Sequence, residues 1–306
     1  MSKEAHVNSI AGRMSLRAPQ RRSLEILHRV TELAPLRPNA DIGEALAAIR
    51  AEFPGVKDFD REFPSLCFAL ATGVGKTRLM GAFISYLYLA HGVKNFFVVA
   101  PNLTIYDKLI GDFTQGRPKY VFKGISEFST TPPTIKHGEN YQQQLGDLFP
   151  VHINIFNISK INTEMRGGHM PKFRDFREEI GASYFDYLAG LKDLVLIMDE
   201  SHRYRATAGL RALNDLKPLI GLELTATPFV ESPSGPQYFR NIIYDYPLAR
   251  AIEDGFVKKP AVVTRKNLDA SGMTPEAIED MKLHDGISLH EQTKVELATY
   301  AARTGT

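Results

Sequence analysis

Ala71-Thr72-Gly73-Val74-Gly75-Lys76-Thr77 lies between the apolar run LCFALAT (66–72) and the helically spaced stretch TRLMGAFISYLYLAHG (77–92). A glycine-rich turn ending in GKT at a strand-to-helix junction is the context a phosphate-binding loop requires. Gly73 and Gly75 let the backbone curl until successive N–H groups point at phosphate oxygens, and the helix opening near Lys76 adds its positive dipole end. Lys76 is expected to reach the β- and γ-phosphates of ATP and the Thr77 hydroxyl to ligate Mg²⁺. Thr72, Val74 and Arg78 complete the expected nucleotide-facing set. The opening glycine of the general pattern is replaced here by Leu70. The plain alternative is a glycine turn joining a strand to a helix, with Lys76 merely solvated.

Outward from this loop, NFFVVAP (95–101), HINIFN (152–157), DLVLIMDE (193–200) and GLELTATP (221–228) are further short apolar runs alternating with amphipathic stretches. Runs of that length suit strands buried on both faces, and their alternation with helices predicts an α/β fold with a mostly parallel sheet covered on both faces. Residues 31–64 are proline-bearing with an amphipathic EALAAIRAEF, and read as an insertion or helical preface. Residues 114–150 read as an exposed loop excursion. After Pro228 a Pro/Ser/Gly linker leads to YPLARAIEDGFVKKP and then to helical stretches that end at AARTGT without a further strand, as if the chain stopped within a longer protein.

Composition narrows the function class. Lys plus Arg number 37 against 35 Asp plus Glu, so no strongly basic surface is implied, although a local patch is compatible with that balance. One cysteine, Cys67, excludes an internal disulfide framework and fits a reducing cytoplasm. The N-terminus lacks a signal-type apolar core and no apolar run approaches the length of a membrane span, so a cytoplasmic protein is expected.

DLVLIMDE closes on two carboxylates followed by Ser201, His202 and Arg203. Beside a phosphate-binding loop, Asp199 is expected to hold Mg²⁺ and Glu200 to orient and deprotonate the attacking water. His202 is a candidate γ-phosphate sensor or a contact to a neighbouring motif. Standing alone, the pair would be an ordinary solvated strand end. Thr225-Ala226-Thr227-Pro228 ends another apolar strand, and singly is no more than a strand running into a proline turn.

In this order, GVGKT, DESH and TATP resemble the first-lobe signature of superfamily 2 DEAD/DEAH-like helicases and translocases, and most of all the motor of type III restriction enzymes, the Res subunit. The resemblance runs over about 16–260 and implies a RecA-like P-loop lobe. It implies that Gln20, in Leu16-Arg17-Ala18-Pro19-Gln20, reads the adenine edge. Pro101, Asn102 and Thr104, in APNLT, would grip a nucleic-acid backbone, where free N–H groups and short polar side chains meet phosphate. Local capping of a helix by Asn102 or Thr104 is the alternative. Ser159 and Lys160, after HINIFN, are a second candidate backbone contact, with Arg166, His169, Lys172 and Arg174 either lining a track or forming a solvated face.

The same resemblance implies that Thr225 and Thr227 couple the ATP site to nucleic-acid movement through hydrogen bonds to the acidic motif. The expected organisation is then 1–64 as a helical region carrying the glutamine motif, 65–230 as the ATP-binding lobe, and 231–306 as a linker and helical extension toward a second lobe. Implied partners are duplex DNA and a modification (methyltransferase) subunit. Two other readings compete: an ATP-binding switch module without turnover, and a small-molecule kinase, against which the ordered DESH and TATP pair argues.

Overall fold

Mostly six-residue apolar runs build the sheet of this computed structural model, which describes residues 1–137, 140, 151–157, 182–203, 213–232, 234–259, 264–265 and 272–305. Ser65–Leu70 (β1) is buried along its whole length, and Asn95–Ala100 (β2) is buried beyond its first residue. Thr134–Lys136 (β3) is a short, half-buried strand, and His152–Asn157 (β4) is again buried beyond its first residue. Leu194–Asp199 (β5) and Ile220–Thr225 (β6) are buried throughout. Phe229–Val230 (β7) and Gln237–Tyr238 (β8) form a separate antiparallel pair, and Ile242–Tyr246 (β9) returns to the main sheet. Among the described residues that sheet has seven strands in the order β3-β4-β2-β5-β6-β1-β9, every pairing parallel. This is the α/β architecture the sequence predicts, consistent with a RecA-like lobe.

Alternation along the strands splits the core in two. Phe96, Val98, Ile197 and Leu222 face one side with Leu24, Leu27 and Phe83; Phe97, Val99, Leu196 and Met198 face the other with Phe63, Tyr184 and Leu188. Lys3–Arg13 (α1), Ala18–Leu33 (α2) and Ile42–Glu52 (α3) precede the sheet and contribute Val7, Leu24 and Ile49 to the first cluster. Lys76–His91 (α4) buries every residue from Leu79 to Leu87, which marks it as the central helix under that face. Leu103–Phe113 (α5), Ser126–Thr130 (α6), Ala182–Ala189 (α7) and Leu248–Glu253 (α8) complete the first compact unit, Met1–Lys258. The second unit, Lys259–Thr306, holds the helix Pro275–Thr304 (α9), capped by the Thr274 hydroxyl accepting from Ala277 N at 3.2 Å. No helix among the described residues is long and apolar enough to cross a membrane.

Two departures from the sequence reading have physical causes. Part of 114–150 is core rather than exposed loop: Phe122, Ile125 and Phe128 are buried, with Phe122 edge-on to Phe128 at 4.9 Å. Their three-residue spacing, broken by Gly124, carries neither the alternation of a strand nor the three-then-four period of a helix. Ile242–Tyr246 was not among the apolar runs because it is a half-buried edge strand interrupted by the exposed Asp245. It is held by a buried polar cluster in which Glu223 of β6, fully enclosed, accepts from Ser65 Oγ (2.9 Å) and Asn241 Nδ2 (3.0 Å), with Arg61 Nε at 3.4 Å.

Candidate active site

The loops carrying the three motifs leave the same edge of the sheet. Ala69 of β1 pairs with Thr225 of β6, and Leu224 of β6 pairs with Asp199 of β5, so the three chain ends are level. With adjacent strands about 4.8 Å apart, the glycine loop and the acidic pair start within about 10 Å of each other.

Gly73 (φ 88°) and Gly75 (φ 99°) take the left-handed conformations that curl the loop. Val74 between them is fully buried and anchors the turn in the core. Gly75 is also the residue from which α4 starts, so the helix opens toward the site. Two side chains from the start of α2 brace the loop. Gln20, 1% exposed, accepts from Arg17 N through Oε1 and donates to Gly75 O through Nε2, both at 2.8 Å. Arg17 Nη1 donates to Gly73 O at 2.8 Å, and its guanidinium lies 5.3 Å from the centre of the Phe256 ring.

Lys76 Nζ meets Glu200 Oε1 at 2.9 Å, with Leu70 O at 3.5 Å. Glu200 has φ 48°, a left-handed conformation that costs a side-chain-bearing residue about 1–2 kcal/mol and is concentrated at functional sites. Asp199 is 6% exposed. Burial first, and then the neighbouring Glu200 carboxylate, push its pKa up to about 6 against the pull of the Lys76 and Lys108 ammonium groups. His202 Nδ1 lies 2.7 Å from Thr225 Oγ1 and 3.5 Å from Glu200 Oε2. Thr225 Oγ1 accepts from Thr227 N (3.1 Å) and donates to Thr227 O (3.2 Å). That leaves a lone pair for His202, a set fully satisfied when Nδ1 carries the imidazole proton. The buried Ser201 and Thr227 hydroxyl oxygens have no hydrogen-bond partner among the described residues.

The structure therefore brings together Gln20, Gly73, Val74, Gly75, Lys76, Thr77, Asp199, Glu200, His202, Thr225 and Thr227. Thr72 is an exposed loop residue. Arg78 is engaged away from the loop, Nη1 donating to Met14 O at 2.7 Å. Asn102 caps α5, its Oδ1 accepting from Ile105 N at 2.9 Å, while Pro101 is buried and Thr104 exposed. Ser159, Lys160, Arg166, His169, Lys172 and Arg174 lie outside the described residues. Three participants had no sequence signal. Lys108 of α5 donates to Thr77 Oγ1 at 2.9 Å, a contact that exists only because α4 and α5 pack side by side. Phe256 and Val257, beyond α8, return to the loop: a Cβ on Gly73 would stand 3.3 Å from Val257 Cγ2.

The donor chemistry suits a nucleotide with a hard divalent cation. Thr77 and Asp199 offer oxygens of the kind Mg²⁺ takes, and the Lys76 ammonium already holds an anionic oxygen, that of Glu200. The loop has no space for a side chain at Gly75, where a Cβ would lie 2.5 Å from Gln20 Nε2.

The family comparison points the same way. Residues 13–230 match the family model "Type III restriction enzyme, res subunit". No curated protein matches the sequence. Among solved structures, the Sulfolobus solfataricus SWI2/SNF2 ATPase core in complex with dsDNA is 16% identical, with TM-score 0.34, over 64% of this chain and 34% of its own. The ATP-dependent Type ISP restriction-modification enzyme LlaBIII bound to DNA is 14% identical, with TM-score 0.42, over 72% of this chain and 16% of its own. The chain thus spans about a third of the one and a sixth of the other.

Proposed function

The chain belongs to the type III restriction enzyme res-subunit family, a group of helicase-like ATPases, and from that premise we propose that 65–230 is the ATP-binding lobe of a DNA-dependent motor. The motor would hydrolyse ATP to ADP and phosphate to drive movement on duplex DNA. The observation that supports this best is the direct meeting of two distant motifs, Lys76 Nζ on Glu200 Oε1 at 2.9 Å, with His202 joining Glu200 to Thr225.

Each residue then has a role. The Gly73–Gly75 curl and the start of α4 cradle phosphate oxygens, and Lys76 leaves Glu200 to face the terminal phosphates. Glu200, relieved of its ion pair, orients a water and accepts its proton. Thr77 and Asp199 would hold Mg²⁺, which supplies positive charge against the terminal phosphates when bound. Gln20 and Arg17 set the loop from the adenine side. Thr225 senses the state of the acidic motif through His202, and Thr227 follows through its backbone bond to Thr225. The first turn of α5, with N–H groups that Asn102 leaves free, and Ser159 with Lys160 would contact the nucleic-acid backbone.

Turnover is expected to need arginines from a second lobe, as in the motors the sequence resembles. The resting Lys76–Glu200 pair also suits a second reading, a nucleotide-binding switch that does not turn over, since it keeps the base occupied. Hydrolysis with and without duplex DNA separates the two. In a form that turns over, Glu200→Gln should leave ATP affinity nearly unchanged and lower hydrolysis by about a hundredfold or more. Normal turnover in that variant would remove Glu200 from the role of base.

A further inference from the structure

Thr77 Oγ1, the oxygen assigned to Mg²⁺ above, already has a cation on it. Lys108 Nζ donates to it at 2.9 Å, and the same ammonium acts electrostatically on Asp199, the second oxygen donor assigned to the metal. Lys108 is at the same time paired with Asp112 Oδ2, one turn along α5 at 3.3 Å, on a residue that is itself 8% exposed. Its helix begins at the proposed nucleic-acid contact, with Thr104 one turn before Lys108 on the same face.

A hydroxyl oxygen that ligates Mg²⁺ at about 2.1 Å cannot keep an ammonium at hydrogen-bond distance without placing two cations against one oxygen. We propose that Lys108 is a built-in counter-cation: it occupies the Thr77 oxygen before Mg²⁺ arrives, and the metal displaces it from that oxygen, leaving it to Asp112 alone and releasing a tie between α5 and the phosphate-loop helix. This rests on the reading of Thr77 and Asp199 as metal ligands. It adds a route by which the nucleotide state reaches the element that would touch nucleic acid. A half-exposed lysine on a hydroxyl would otherwise contribute little.

The proposal makes Mg²⁺ and Lys108 rivals for one place, so removing the lysine has opposite effects on metal-free and metal-loaded states. Without metal, the Lys108 charge does part of the ion's work on the triphosphate. With metal, it competes. The test is calorimetric ATP binding to the 306-residue chain in EDTA and in saturating Mg²⁺, with Lys108→Met and Lys108→Arg beside the wild type. Lys108→Met should raise the ratio of the metal-free Kd to the Mg²⁺ Kd by about tenfold or more, while Lys108→Arg keeps the wild-type ratio. Mn²⁺, followed by its paramagnetic resonance, should bind the Lys108→Met–ATP complex more tightly than the wild-type complex. An unchanged ratio with ATP binding intact, or Lys108→Arg behaving as Lys108→Met, overturns the proposal and leaves the nucleotide site standing. Absence of ATP binding to the wild type under both conditions overturns the nucleotide site, and this proposal with it.

Discussion

Gly75 has two independent reasons to be glycine: its φ of 99°, and the Gln20 amide, which would lie 2.5 Å from a Cβ. Gln20 cannot retreat cheaply, because its other end is bonded to the backbone of Arg17. Gly75→Ala is therefore expected to destabilise the chain by about 1–3 kcal/mol in urea unfolding and to abolish ATP binding. A variant of wild-type stability that still binds ATP would show that the loop is not held as described. At this scale much was legible in the sequence. Lys76, Asp199 and Glu200 were identified because phosphate and metal chemistry needs those residue types after strands. Lys108 was not, because its role depends on the face of α5 that meets α4, and nothing in LTIYDKLIGDF marks a lysine as turned toward a site. The bond of Gln20 to Gly75 O was equally hidden, since it needs α2 and the loop in contact.

Helix α4 links the site to the rest of the lobe, and its far end carries the clearest pH-dependent group. His91, the last residue of α4, lies with Nε2 3.2 Å from Tyr86 Oη, which also contacts His28 Nδ1 (2.9 Å) and Thr31 Oγ1 (3.2 Å). Burial above all, then the charges of Lys3 and His28, lowers its pKa to about 4. The unfolded chain, with an ordinary histidine near 6.5, binds more protons between pH 6.5 and 4. The stabilisation is thus complete above pH 6.5 and is lost as pH falls toward 4, on the order of 2 kcal/mol once part exposure is allowed for. His91→Asn should flatten the fall in urea midpoint over that window. An equally steep fall in the variant would place the acid sensitivity elsewhere. Among elements, the fully buried strands were readable because continuous apolar runs have few other uses. Ile242–Tyr246 was not, since an edge strand needs only one apolar side, and what fixes it is the Asn241–Glu223–Ser65 cluster, assembled from three distant parts of the chain.

Across the whole molecule the sheet order separates tasks along a single edge. β1, β6 and β5 end in the glycine loop, the TATP turn and the acidic pair, while β2 and β4, on the far side of β5, end where the proposed nucleic-acid contacts begin. β5 stands between the halves, so a change at Asp199 or Glu200 has immediate neighbours on both sides. Motif order along the chain revealed this lobe, but not the strand order that makes β5 central, because parallel strands adjacent in space are separated by long crossovers in sequence. The account stands or falls on whether the loop holds nucleotide. The most direct measurement is equilibrium binding of ATP with Mg²⁺ to the 306-residue chain, with Lys76→Ala beside it. The account predicts saturable binding at about micromolar ATP that the substitution weakens by about a hundredfold or more. Equal binding by both proteins, or none by either, would contradict it.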